Sequence, residues 1–342
     1  MVSSVSATAA GIDGLALVIV TFNRSGYLRG LLESVAALDP APELVVVVDN
    51  ASTDDTAAYL KSAADGFPVP LTVCTLTENT GGSGGFAAGI EAALDLGAEW
   101  LWLMDDDVEA LPGAVAALAK WTGTYDCIHG RRYDEAGNPF FWQHRFIPLL
   151  GMHVPVRGNV FRDSAAFDTN VGCFEGMLIN AAAVREIGLP DRRYFINGDD
   201  EIYGWLASRN HKVAYVNDFV LRKVRPQKQI DLGIRHLNDS SDLSRFCAMR
   251  NRGHTAGYLR HHGQFNRAGF AAGTVLTAAK ELLRLAAVER RLRGAGSLWR
   301  GWRESRAILR DSRWQPMPPL AETRPGGPDA SPHPGTGRTV IP

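Results

Sequence analysis

LALVIVT at residues 15–21 is followed at once by FNRS at 22–25, then by Tyr27, Leu28, Leu31, Leu32 and Val35. The first seven residues are apolar and rich in β-branched side chains, which suits a strand buried on both faces. The apolar positions after Ser25 recur at helical spacing. Strand, polar loop and amphipathic helix make one β-α unit, and the pattern repeats. Residues 44–48 form a second apolar run that ends in Asp49-Asn50-Ala51-Ser52, with Thr53 or Asp54 placed to cap a helix through about Ala63. Residues 71–76 form a third, after which Gly81-Gly82-Ser83-Gly84-Gly85 leads into a helix predicted over 86–96. Residues 100–104 form a fourth, ending in Asp105-Asp106-Asp107. Four such units predict an α/β fold with a Rossmann-like, mostly parallel sheet. Open sheets of this kind bind ligands at the carboxyl ends of their strands. Asn23-Arg24, Asp49-Asn50, Asn79 with its glycines and the aspartate triplet are therefore expected to line one crevice, suited to a nucleotide-type ligand.

Working outward, the chain becomes less regular. Residues 131–167 carry many aromatics and several prolines; 171–180 read as a loop entering a strand, and 181–187 as a helix. Asp199-Asp200-Glu201 open a further helix, 211–221 read as strand, and 240–260 and 267–310 as helices. Residues 1–13 and 315–342 lack periodicity and are expected to be disordered, the latter for its Pro, Gly, Ser and Thr. Between them lie an expected catalytic domain at 14–262 and a basic helical region at 263–314. That domain divides at about residue 120, into a regular part at about 14–120 and an irregular one at about 121–262.

With 342 residues, 45% of them hydrophobic, the chain can bury a large core. A net charge of -1 argues neither for nor against nucleic acid, and none is expected as a partner. Four scattered cysteines without a CxxC pair point to reduced thiols in a cytoplasmic protein. No leader is visible at the start, and no run reaches the ~18 apolar residues of a membrane span.

Asp105 and Asp107 can both face one hard divalent cation at a strand end, where Mg²⁺ or Mn²⁺ would bridge to a diphosphate; the bland alternative is a solvated acidic loop. The glycines at 82, 84 and 85 let backbone approach a phosphate at a helix N-terminus. Gly82-Ser83-Gly84-Gly85-Phe86-Ala87 also mimics a dinucleotide-binding GxGxxA, with Asp105 about twenty residues on. That fingerprint belongs in a first β-α unit and leaves three consecutive aspartates unexplained. The acids at 199–201 can either supply a base for an acceptor hydroxyl or simply cap a helix. Asp49 and Arg24 suit contacts to a base or ribose, and His236 is a candidate metal ligand.

VIVTFNR (18–24), VVDNAS (47–52), NTGGSGGFAAG (79–89), WLWLMDDDVE (100–109), GDDE (198–201) and MRNRG (249–253) together resemble the family-2 inverting glycosyltransferases of GT-A fold. The glycine-rich segment looks most like bacterial cell-wall galactofuranosyltransferases, with rhamnosyltransferases of similar layout. The resemblance implies that Thr21, Arg24, Asp49 and Asn79 hold the uridine part of a UDP-sugar donor, with Gly82, Gly84, Gly85 and Asp106 also on the donor side. It makes the regular part of the domain the donor half and the irregular part the acceptor half. It implies Mn²⁺ or Mg²⁺ on Asp105 and Asp107, Asp200 as catalytic base, Glu201 at the acceptor site, and a lipid-linked or polysaccharide acceptor. The family's metal-binding histidine after the base helix is replaced here by Leu221-Arg222-Lys223. Either His236 supplies the third ligand, or Arg222 or Lys223 offsets diphosphate charge. Residues 280–313, basic with interleaved leucines and tryptophans, suit the anionic inner face of the cell membrane. A dTDP-rhamnose enzyme, an NAD-linked oxidoreductase and a catalytically silent sugar-nucleotide-binding module are the rival expectations.

Overall fold

A computed structural model describes residues 10–158, 160–225, 230–231, 236–237, 241–290, 292–320 and 338–341. The expected units appear in order: β1 (Leu15–Thr21), α1 (Ser25–Ala36), β2 (Leu44–Asp49), α2 (Thr56–Ala64), β3 (Leu71–Leu76), α3 (Gly81–Asp95) and β4 (Trp100–Asp105). Then follow β5 (Val108–Ala110), α4 (Ala114–Ala119), β6 (Cys127–Tyr133), β7 (Pro139–Phe140), β8 (His144–Ile147), β9 (Met152–Pro155), β10 (Ala166–Asp168), β11 (Met177–Asn180) and α5 (Ala181–Ile187). The last third holds α6 (Asp199–Ala207), β12 (Val213–Lys223), β13 (Ile230–Asp231), β14 (His236–Leu237), α7 (Asp242–Arg250), α8 (Arg252–His261), α9 (Arg267–Leu283), α10 (Ala295–Arg310) and β15 (Arg338–Ile341).

The main sheet runs β10-β12-β6-β11-β4-β1-β2-β3-β15. β1 pairs in parallel with β2 on one side and β4 on the other. The chain leaves β1 toward β3 and returns across it to β4, so strand order reverses between β1 and β4. Ligand crevices of open α/β sheets form at such a reversal. β11, from the expected acceptor half, inserts antiparallel between β4 and β6, so one continuous sheet carries both halves.

Both faces of β1 are buried. Leu15, Leu17 and Ile19 pack on one side with Leu28, Leu31 and Leu32 of α1; Ala16, Val18 and Val20 pack on the other with Phe86 and Ile90 of α3. That two-sided burial is why the strand reads as an unbroken apolar run.

Three boundaries differ from expectation. The second helix starts at Thr56, because the Asp54 carboxylate accepts the Thr56 N–H (3.1 Å) and closes a local turn first. The third helix starts at Gly81 and takes the glycines into its first turns. The tail is not wholly disordered. Met317 N–H donates to the Tyr258 hydroxyl (3.2 Å) and Leu320 N–H to the Arg185 carbonyl (2.8 Å), while β15 adds an antiparallel edge to β3. The described parts of the tail find their partners on the folded domain. At the other end, residues 1–9 lie outside the described ones, and Ile12 is already core.

Candidate active site

The loops after β1, β2 and β4 meet at the strand-order reversal. Thr21 is buried, and its hydroxyl donates to Asp106 (2.7 Å). Arg24 reaches the other Asp106 oxygen (3.0 Å) and Asp107 (3.5 Å). Thr21 and Arg24 thus fix the middle aspartate of the triplet. Asp49 is buried in its turn, accepting the Ser52 N–H (2.9 Å). Asn50 ties this turn to α3: its amide donates to the Gly81 carbonyl (2.9 Å) and accepts the Thr80 N–H (2.9 Å). Asn79 is exposed at the crevice rim and accepts the Gly81 N–H (2.9 Å).

The glycines divide by function. A Cβ on Gly82 would meet nothing within 4 Å, so this backbone is open to a ligand. On Gly84 it would lie 2.3 Å from the Thr80 side chain, on Gly85 2.5 Å from Val20, and on Gly89 2.4 Å from Val18. These three let α3 press onto neighbouring groups and onto β1, an approach that a side chain would block. Gly81, at φ +72°, sits where a Cβ would be 2.1 Å from the Phe195 carbonyl oxygen.

Asp105, Asp107 and Glu175 each bring a carboxylate oxygen within 4.8 Å of the others. Glu175 was invisible in the sequence as a site residue, being a lone acid in CFEGM; β11 delivers it. Lys223 Nζ contacts both Glu175 oxygens (2.6 and 2.8 Å), and Arg132 pairs with the same carboxylate. Burial alone would raise the Glu175 pKa, but Arg132 and Lys223 outweigh it and hold it below the usual range. Asp105 lies well above that range, through burial first and then the charges of Glu175, Asp107 and Asp106. Three hard oxygen donors within 4.8 Å of one another, with Asp105 still pushed up by its acidic neighbours, fit a divalent cation of the Mg²⁺ or Mn²⁺ kind. Alternation along β12 settles Leu221-Arg222-Lys223: Lys223 faces this cluster, whereas Arg222 faces away and pairs with Glu109 (3.5 Å). His236 is in β14, and its side chain lies outside the described residues.

The second acid group heads α6. Gly198, at φ +84°, turns the chain into the helix, and Gly204 packs against Gly172, where a Cβ would lie 1.9 Å from its nitrogen. The MRNRG segment clamps the preceding loop. The Asn251 amide faces the Tyr194, Ile196 and Asn197 carbonyls at 3.0, 2.9 and 2.8 Å. Arg250 donates to the Arg193 and Tyr194 carbonyls. Phe195 holds a positive φ of 61°, costly for a bulky residue, within this clamp.

Asp200 is half-buried. Its pKa is pushed well up by burial, then by Asp199, Glu201 and also Asp105, which places it in the field of the first acid cluster. Asp199 is buried and pushed up to about 7. Glu201 behaves oppositely: burial would raise it, but His153 outweighs burial at Nδ1···Oε1 2.5 Å. His153, on the β8–β9 hairpin with Trp142 and His144 beside it, was not legible as a site residue.

The fold is that of the GT-A glycosyltransferases. The chain aligns with the crystal structure of S. aureus TarS over 87% of its own length and 49% of that chain, with a TM-score of 0.55 and 15% identity. It also aligns with GalNAc-T7 solved with UDP, GalNAc and Mn²⁺, over 80% of its length and 57% of that chain, TM-score 0.52, 12% identity. Residues 16–187 match the family model described as glycosyl transferase family 2, and the chain belongs to that family. Galactofuranosyltransferase GlfT1 of Mycolicibacterium smegmatis is 32% identical over 200 residues, 54% of this chain and 61% of the relative. The Mycobacterium tuberculosis protein of that name is 31% identical over 191 residues, 54% of this chain and 60% of the relative. The chain thus spans about three fifths of the curated relatives' length. The NAD-linked reading falls with the family assignment, and Asp105, the acid it needs, belongs to a three-carboxylate cluster.

Proposed function

We propose that the chain transfers galactofuranose from UDP-galactofuranose to a lipid-linked or polysaccharide acceptor, in a single displacement that inverts the anomeric centre. The observation that carries the mechanism is Asp200, a half-buried carboxylate whose raised pKa makes its ionised form an effective proton acceptor. The acceptor hydroxyl attacks the anomeric carbon and its proton passes to Asp200. The bond from that carbon to the diphosphate oxygen breaks, and UDP leaves. A Mn²⁺ or Mg²⁺ ion on Asp105, Asp107 and Glu175 would supply positive charge to the departing diphosphate.

The remaining residues take positioning roles in this reading. Asp106 holds Thr21 and Arg24 at the donor end, with Asp49 and Asn79 on the nucleotide and the open Gly82 backbone near phosphate. Arg225, 4.0 Å from Asp107, adds a cation at the same end. Glu201, braced by His153, faces the acceptor. The galactofuranosyltransferase names of the mycobacterial relatives support the sugar, and the UDP and Mn²⁺ solved with GalNAc-T7 support the donor class. A lipid-linked acceptor favours work at the inner face of the cell membrane.

The test is a thermal-shift panel with UDP-galactofuranose, other UDP-sugars and dTDP-rhamnose, followed by nucleotide release. Ligand bound to the folded state stabilises it by RT ln(1 + [L]/Kd). UDP-galactofuranose should both stabilise and turn over. Turnover of dTDP-rhamnose alone would make this a rhamnosyltransferase, and binding without release of UDP would leave a silent module.

A further inference from the structure

α9 turns its polar residues inward. Thr274 and Thr277 accept from the Arg252 guanidinium (2.8 and 3.4 Å), and Glu281 lies 3.9 Å from Arg245, which is fully buried, and 2.8 Å from Arg284. Gly273 meets the Leu150 carbonyl so closely that a Cβ would be 1.9 Å away. The outward face is Ala272, Val275, Leu276, Ala279, Leu282 and Leu283, all exposed among the described residues, Val275 by 67% and Leu283 by 57%. A surface helix of a globular protein normally presents the reverse. An apolar strip of this length left to water marks a surface that something covers.

Charge says what covers it. From Arg267 to Arg310 the chain carries ten basic residues against three acidic ones, in a protein whose net charge is -1. Two of the three acids, Glu281 and Glu289, are drawn in toward Arg245. Arg290, Arg293, Arg300 and Arg303 stay exposed, with Leu292 and Trp299 exposed among them. The strip's helix also borders the acceptor end of the crevice: Gly273 packs on Leu150 in the turn of the β8–β9 hairpin, and that hairpin carries His153, which pairs with Glu201.

We propose that the outward face of α9, with the arginines from Arg290 to Arg303, docks the protein on an anionic lipid bilayer and brings the acceptor end of the crevice to the headgroups. The proposal rests on the reading that the acceptor is lipid-linked. Apolar side chains enter the interface while basic ones meet anionic headgroups. A second copy on the same face would set two strongly positive regions against each other. No helix among the described residues is long and apolar enough to cross a membrane, so contact would be interfacial.

The experiment sediments the full chain with vesicles of phosphatidylcholine alone or with phosphatidylglycerol added. Binding to the anionic vesicles, weakening with salt, is expected. Leu276→Gln with Leu283→Gln, and separately Arg293→Glu with Arg300→Glu, should each lower the bound fraction roughly tenfold or more. All four positions are exposed, so melting temperature and UDP release onto a water-soluble acceptor should hold. A parent that ignores anionic vesicles, or variants that bind as the parent does, would overturn the proposal. So would a parent dimer dissolved by the leucine variants, which would make a second copy the occupant. Vesicle binding without sugar transfer would sink the proposed function and leave the docking surface standing.

Discussion

The two acid clusters of the crevice differ in how their charge is met. Asp106, Asp107 and Glu175 each face a cation, from Arg24, Arg225, Lys223 or Arg132, drawn from three separate places in the chain. Asp199, Asp200 and Glu201 are consecutive, and among the described residues only Glu201 of the three has an ion-pair partner, His153. Glu175 and Glu201 are therefore held ionised, whereas Asp199 and Asp200 are pushed up. In the first cluster Asp105 is pushed up too, by burial and by its acidic neighbours, so that arrangement suits a bound cation facing a diphosphate. The second suits taking up a proton. Neighbouring charge, more than residue type, separates the two roles.

The largest effect expected from breaking the contrast lies in the first cluster. Chelation of divalent ions, or Asp107→Ala, should reduce transfer to background while the melting temperature of the metal-free protein stays close to the parent's. Full activity in excess chelator would show that Lys223 and the arginines suffice.

The second cluster should respond in a graded way. Consecutive helical residues point about 100° apart, and Asp199 is the buried one of the pair. Asp200→Asn should retain donor binding and lose transfer by roughly 10²–10⁴. Asp199→Asn should lose clearly less. Side-by-side rates, with donor affinity measured separately, decide it; near-parent transfer by the Asp200 variant would move the base to Glu201.

The smallest effect sharpens the comparison through stability. Burial, then the Glu201 charge, lifts Asp199 from 3.8 to about 7. A carboxyl with its folded pKa raised contributes stability that is full below its unfolded pKa and is lost as pH rises through the folded one. Asp199→Asn cannot ionise, so its melting temperature should gain on the parent's as pH climbs from about 4 to about 8. An unchanged gap across that range would mean Asp199 is no more protonated in the fold than outside it.

Much of the donor half was legible because its groups follow their strands directly. The apolar run of β1 and the polar Asn23-Arg24 after it are one local statement, as are β4 and its aspartates. The packing use of Gly84 and Gly85 was not legible, because a missing Cβ serves a phosphate or a packed neighbour equally well; the approaches of 2.3 Å to Thr80 and 2.5 Å to Val20 belong to the fold. The tail was misread because its backbone partners, Tyr258 and Arg185, belong to other segments. His153 and Arg132 gave no local signal at all.

The sequence by itself determined the alternating units, the family and the acids at 105–107 and 199–201, since periodicity and short motifs are properties of neighbouring residues. Tertiary structure alone decided that Glu175 joins Asp105 and Asp107, that Lys223 and not Arg222 faces them, and that α9 hides its polar side. Those choices turn on which face of a strand or helix meets which distant segment. Their energetics come from charges and buried surfaces brought together across scores of residues, a quantity that no local window contains.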